Sequence, residues 1–386
     1  SWAILQLLTL RDRFPGKSGH EILREFDMVI ANSGGSIVLA ALAENWSIEK
    51  ALTLFDERTI REKVFSRSSF WERFFPIDYL RLLIPFGPKY SARRKGEAFR
   101  DLFPQIDRRQ MNTLPQFIGK AGLKLIVCTY DALNNRAKFF RSYPKKDAPY
   151  DSIRLTQAIH GSSNAPIQYF DFPARFKAKE SNIYYELWDG ALGGFNNPVL
   201  AGLIEAVKLG IPKDEIRIVS IGTGNKLMSI DDKKRFYKVK QISMQERKKK
   251  WNIFKWGYQF EYFARSALNQ AKTILYQPPD WSNYLAMMFL RNGPESDITG
   301  QFIRLSPMIH SDLHTADSVK PLLNRLYKMD MDLTKDEEIS LLKTCYAHWC
   351  NGTIKNQPIE YRITRENELI YINGFQSFKE AMDAWD

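Results

Sequence analysis

Apolar positions along this chain fall into two rhythms, and the alternation between them sets the expected fold. Short apolar runs with no helical period occupy residues 26–31, 123–129, 137–142, 184–189, 216–221 and 302–305, with the lengths and compositions of strands. Helical spacing runs through residues 35–44, 96–102, 198–209, 256–275 and 315–327. Strands that alternate with helices predict an α/β fold with a largely parallel central sheet covered on both faces. Residues 1–330 read as one domain carrying a basic and aromatic insertion near 231–276. Residues 331–386 read as a small α+β extension of unknown role, with a helix at 337–349 and a hairpin from 360–364 and 368–374.

The first strand-to-helix junction carries candidate chemistry. The run Phe26-Asp27-Met28-Val29-Ile30-Ala31 passes through Asn32-Ser33-Gly34-Gly35 into an aliphatic, alanine-rich helix. Gly34 and Gly35 remove Cβ atoms that would clash where strand and helix approach so closely, and glycine takes the dihedrals that a sharp turn demands. Ser33 is then exposed at a helix N-terminus. There the unpaired N–H groups and the positive end of the dipole stabilise an oxyanion, with the Gly34 N–H as first donor. A serine that merely caps the helix in a Gly/Ser turn has the same local pattern, which is too short to separate the two.

A second cluster separates them. In Ile183-Tyr184-Tyr185-Glu186-Leu187-Trp188-Asp189-Gly190-Ala191-Leu192-Gly193-Gly194-Phe195-Asn196-Asn197-Pro198 a strand ends on a carboxylate, glycines follow, and Asn-Asn-Pro opens the next helix. Ser33 in its G-x-S-x-G-like turn, followed by Asp189-Gly190-Ala191, closely resembles the patatin-like phospholipase family. The resemblance continues through Phe86-Gly87-Pro88-Lys89-Tyr90-Ser91, Phe139-Phe140-Arg141-Ser142-Tyr143, Ala158-Ile159-His160-Gly161-Ser162-Ser163-Asn164-Ala165-Pro166 and Ser220-Ile221-Gly222-Thr223-Gly224, all in the family's order over residues 1–330.

The resemblance implies a three-layer α/β/α fold and a serine–aspartate dyad. Ser33 would be the nucleophile and Asp189 the base, with Gly34 in the oxyanion hole, Gly35 and Gly190 supporting the turns, and no histidine, metal or other cofactor. It further implies a phospholipase A or lysophospholipase that cleaves phospholipid or lysophospholipid esters through an acyl-enzyme. A free Asp, with a pKa of about 3.9, is a poor base at neutral pH, so Asp189 must lie within hydrogen-bond reach of Ser33 in a dry pocket. The aromatic residues before it suit that need. His160 belongs to a segment expected beside the site, in a structural or substrate-lining role.

Two departures from the family pattern stand out. Ala31 occupies the place of the first glycine of G-x-S-x-G. The family's glycine-rich oxyanion loop lies before a helix that corresponds here to Trp2-Ala3-Ile4-Leu5-Gln6-Leu7-Leu8, whereas this sequence opens at Ser1. A trimmed start is the expectation, and a catalytically impaired relative is the alternative.

Charge sharpens the expected surroundings. A net charge of +12 over 386 residues favours anionic partners. For a lipid hydrolase the matching partner is an anionic membrane surface; nucleic acid fits the number equally well but is not expected. Cys128, Cys345 and Cys350 show neither a disulfide framework nor zinc spacing, even with His348 between the last two, so a reducing cytoplasm, with peripheral membrane contact, is the expected setting. Residues 70–83, rich in aromatic and aliphatic side chains, suit either an apolar cover over an acyl channel or simple core. Residues 233–255 gather ten basic side chains ahead of Trp256, Tyr258 and Phe260, which suits either an interfacial anchor or a solvated charged insertion. Nothing in the sequence identifies an activating partner or small-molecule signal. Two competing functions remain open: an α/β-hydrolase esterase with Ser33, Asp189 and His310 or His314 as a triad, and a nucleotide or anion module using the turn at 32–36 as a phosphate nest.

Overall fold

The computed structural model describes residues 2–66, 89–144, 153–166, 169–178, 183–226, 278–291, 300–310, 317–329, 334–364 and 369–385. In chain order these form α1 (Ile4–Arg13), α2 (Gly19–Arg24), β1 (Met28–Ala31), α3 (Gly34–Ala43), α4 (Ile48–Asp56), α5 (Arg58–Val64), α6 (Ala92–Leu102), β2 (Lys124–Asp131), β3 (Arg136–Arg141) and α7 (Leu155–Ser162). There follow β4 (Ala174–Lys177), β5 (Tyr184–Asp189), α8 (Val199–Lys208), β6 (Ile218–Ile221), β7 (Asn225–Lys226), α9 (Pro278–Leu290), β8 (Phe302–Leu305), β9 (Met308–Ile309), α10 (Lys320–Lys328), α11 (Asp336–Cys350), β10 (Glu360–Ile363), β11 (Leu369–Asn373) and α12 (Phe378–Asp383). The expected cover at 70–83, the basic stretch at 233–255 and the helix at 256–275 lie outside the described residues.

The α/β class holds, and the pairing of β2 explains how the sheet assembles a site. One edge of β2 carries β3 in an antiparallel hairpin, from Ile126↔Arg141 to Asp131↔Arg136. The other edge is shared. β1 runs parallel to the first half of β2, up to Ala31↔Val127, while β5 runs antiparallel along the second half, down to Asp189↔Thr129. The carboxyl ends of β1 and β5 therefore meet head to head beside Cys128. β4 closes this sheet against β5, and further parallel pairs join β6 to β8 and β7 to β9. A strand following the nucleophile in the same direction could not deliver Asp189 to this point, because its carboxyl end would continue past β1 rather than face it.

Packing around these strands follows from composition. α3 (GGSIVLAALA) is apolar all round and buried from Ser36 to Ala43, as a central helix must be. The motif Phe139-Phe140-Arg141-Ser142-Tyr143 gains a physical reason. Arg141 makes a two-pronged contact with Glu205 of α8, at 2.7 Å for both bonds, and the Tyr143 hydroxyl donates to the same carboxylate at 2.7 Å. Two donors hold the Glu205 carboxyl down, at about 2. The C-terminal segment shares the main core: Trp349 is fully buried, the Tyr346 hydroxyl donates to the Leu8 carbonyl of α1 at 3.0 Å, and Phe378 stacks edge-on against Trp349. Among the described residues no helix is long and apolar enough to cross a membrane.

Candidate active site

Ser33 stands between β1 and α3 with φ 50° and ψ −125°, a conformation that an L-residue adopts only under compulsion. Such strain costs about 1–3 kcal/mol and persists where neighbours over-determine it. Here they do. The Ser33 N–H donates to Ser162 Oγ at 2.9 Å, and the Ser36 hydroxyl donates to the Ser33 carbonyl at 2.6 Å. The Ser33 side chain makes no capping bond to α3, which a simple N-cap serine would make; its hydroxyl lies close enough to the Asp189 carboxyl to lower that group's pKa.

Asp189 is buried and held from three sides. Oδ1 accepts from Asn32 Nδ2 at 3.1 Å and from the Ala191 N–H at 2.9 Å, and the Ser33 hydroxyl approaches from the third side. These donors, with Lys95, pull its pKa down, but burial outweighs them and leaves the carboxyl above its ordinary value. The direction suits a base better than that of a solvated aspartate.

The glycine after Asp189 has a specific duty. A Cβ on Gly190 would overlap Asn32 Oδ1 and come within 3.0 Å of the Cys128 carbonyl group, the point where β1 and β5 meet. Gly190→Ala will therefore push the Asp189 turn off Asn32 and cost about 1–3 kcal/mol of stability. Urea denaturation reads the stability loss, and slower labelling of Ser33 by a serine-directed phosphonate reads the loss of alignment; unchanged values in both would refute this account.

Among the described residues, one N–H group of the turn is left uncommitted. The Ser33 N–H is committed to Ser162, the Gly35 N–H to the Asn32 carbonyl at 2.9 Å and the Ser36 N–H to the Ser33 carbonyl at 3.0 Å. The Gly34 N–H, at the first position of α3, lacks an intrahelical acceptor. These commitments also remove the phosphate nest, which needs several converging free N–H groups. No histidine contacts the Asp189 carboxylate among the described residues. His310 is buried beyond β9 and does not line the cavity beside Ser33; His314 lies outside the described residues.

That cavity holds about 440 Å³ and reaches Ser33, Asp189, Phe65, Tyr169 and Phe170. It also touches every residue from Met28 to Ser33 and from Ile216 to Gly224. Because successive strand residues face opposite ways, contact with all of them means that the cavity runs along the backbone edges of β1 and β6. Those edges carry no strand partner among the described residues. From α1, Gln6 Nε2 donates to the Ile221 carbonyl at 2.7 Å at the end of this slot, close to Gly35.

Three contributors escaped the sequence pattern. Asn32 and Ser162 lock the turn, as above, and Lys95 of α6 is almost wholly buried, at 1% exposure. Its Nζ donates to Asn164 Oδ1 at 2.9 Å, to the His160 carbonyl at 3.2 Å and to Ser163 Oγ at 3.4 Å, and lies 3.9 Å from the Phe170 ring centre. The Asn164 carbonyl in turn accepts the Asp189 N–H at 3.0 Å. Burial drags the Lys95 ammonium well below its ordinary pKa, while Asp189 and Asp171 pull it back up. His160 packs its ring over Gly96 of α6, not towards Ser33; burial beside Lys95 lowers its pKa to about 3, so it is neutral.

No curated protein matches the chain. The patatin-like phospholipase family model matches residues 1–203, just over half of the chain and the part that holds Ser33, Lys95 and Asp189. The chain therefore belongs to the patatin-like phospholipase family, a family of lipid acyl hydrolases.

Proposed function

We propose that Ser33 and Asp189 form a catalytic dyad that hydrolyses acyl esters of phospholipids or lysophospholipids. The observation that carries this reading is the strained Ser33 beside the buried Asp189 carboxyl at the mouth of an apolar cavity. As Ser33 Oγ bonds to the ester carbonyl carbon, its proton passes to Asp189 and the carbonyl oxygen becomes an oxyanion that faces the Gly34 N–H. Collapse breaks the bond to the alcohol, which leaves with the proton from Asp189. Water then repeats the sequence in reverse and frees the fatty acid. The pair of side chains suffices for this cycle without a metal or organic cofactor. We further propose that a glycine-rich segment supplies a second oxyanion donor. The working place would be the cytoplasmic face of an anionic membrane.

The test is fatty-acid release from phospholipid and lysophospholipid vesicles by the full-length protein, its Ser33→Ala variant and its His310→Ala variant. Release by the wild type and His310→Ala, with none from Ser33→Ala, supports the dyad. Equal release by all three ends it, and loss in both Ser33→Ala and His310→Ala favours a triad.

A further inference from the structure

A second cavity of about 410 Å³ opens between α6, the start of α7 and β4, on the side of α7 away from Ser33. Ser162 and His160 lie two positions apart on α7, about 200° around the helix, so one faces the nucleophile and the other faces this cavity. Arg93 and Arg100 from α6, Arg154 before α7 and Arg175 from β4 line it. Two carboxylates share the lining and both are engaged. Asp107 binds Arg154 at 3.0 Å and also Thr156, while Asp171 accepts the Ala92 and Phe172 N–H groups at 2.8 and 2.9 Å.

Four guanidinium groups and two carboxylates line the cavity, and Glu97 and Glu186 beside it pair with two of the arginines. Arg100 has no ion pair among the described residues. Arg93 and Arg175 pair with Glu97 and Glu186 at 3.0 and 2.9 Å; the first pair is solvent-exposed, worth at most about 1 kcal/mol and readily exchanged for a better anion, while in the second Arg175 is exposed and Glu186 half-buried. At the inner wall, the His160 ring lies against the Ala92 backbone, which favours its N–H, while Nε2 is buried without a partner among the described residues. A neutral ring whose N–H is spent on a carbonyl presents a lone pair at the other nitrogen. That atom accepts a hydrogen bond and would repel a bare anion. Phe172 supplies an exposed aromatic edge beside Arg175.

We propose that this cavity is a second ligand site, which binds a phosphate ester bearing a free hydroxyl: the arginines meet the phosphate and His160 Nε2 accepts from the hydroxyl. Two sources share this chemistry, a soluble hydroxylated phosphate and the headgroup of a lipid such as phosphatidylglycerol. Calorimetric titration of the full chain with glycerol 3-phosphate, and sedimentation with phosphatidylglycerol or phosphatidylcholine vesicles, separates them. Saturable binding of glycerol 3-phosphate, weakened about tenfold or more in Arg100→Ala and Arg175→Ala, identifies a soluble ligand. Selective binding to phosphatidylglycerol vesicles that these variants lose, without binding of glycerol 3-phosphate, identifies a headgroup.

His160→Phe should reduce the preference for glycerol 3-phosphate over inorganic sulfate, which has no hydroxyl to donate. Should that variant fail to fold, the two exposed arginines still decide. No saturable binding of either probe, or binding indifferent to Arg100→Ala and Arg175→Ala, overturns the proposal.

Discussion

Neither Ser33→Ala nor Asp189→Asn will release fatty acid above background, but the two variants will differ in stability and in how they fail. Asp189→Asn keeps the shape of the side chain. Its Oδ1 can still accept from Asn32 and Ala191, which leaves an NH₂ group facing the Ser33 hydroxyl. A donor there cannot take the serine proton, and loss of a positioned general base costs about 10²–10⁴-fold in rate. The same change relieves the fold. Asp189 has a folded pKa above its ordinary value, so between the two values the native state holds more protons than the unfolded chain and stability falls as pH rises. The penalty grows as pH rises through the raised folded value. Asp189→Asn should therefore gain on the wild type in urea as pH rises and lose that advantage on acidification into the ordinary carboxyl range. A variant that kept the wild-type rate would remove Asp189 from the chemistry.

The turns that hold the proposed dyad were legible because close packing dictates local sequence. A nucleophile on a strand-to-helix turn needs Gly34 and Gly35, and a carboxylate pressed against Asn32 needs Gly190; each requirement leaves a mark within three residues. The element types were legible from periodicity, and β5 and β8 begin and end where the apolar runs do. Strand direction was not. The reversal that brings Asp189 to Ser33 depends on β4 pairing with β5 and on β5 sharing an edge of β2 with β1, and no run of residues encodes a partner 60 or 150 positions away. Lys95 left a faint trace. It sits on the face of α6 otherwise buried at Ala92, Ala98 and Phe99, a lone charge on an apolar stripe, just outside the helix expected from residue 96.

Lys95→Met is the second severe change, and it tests whether that lysine only fills space. Removing the ammonium orphans Asn164 Oδ1 and the His160 carbonyl, and it withdraws the one cation that faces the buried Asp189. Losing one partner from a buried charge cluster typically costs about 3–5 kcal/mol, because the remaining charge is left uncompensated. The groups that face Asp189 are the Ser33 hydroxyl, the Asn32 amide, the Ala191 N–H and Lys95; those that face Lys95 are Asp171, Asp189 and the neutral His160. With the cation gone, the Asp189 pKa moves further up. The acid limb of the kcat/KM profile should follow it to higher pH, and the variant's stability deficit should shrink on acidification, since protonation of Asp189 cancels the uncompensated charge. Lys95→Arg keeps a cation and should hold the limb closer to its wild-type position. A Lys95→Met enzyme that is less stable yet titrates at the wild-type pH would show that the lysine supports the Asn164 loop without acting on Asp189, because mere packing cannot move the acid limb.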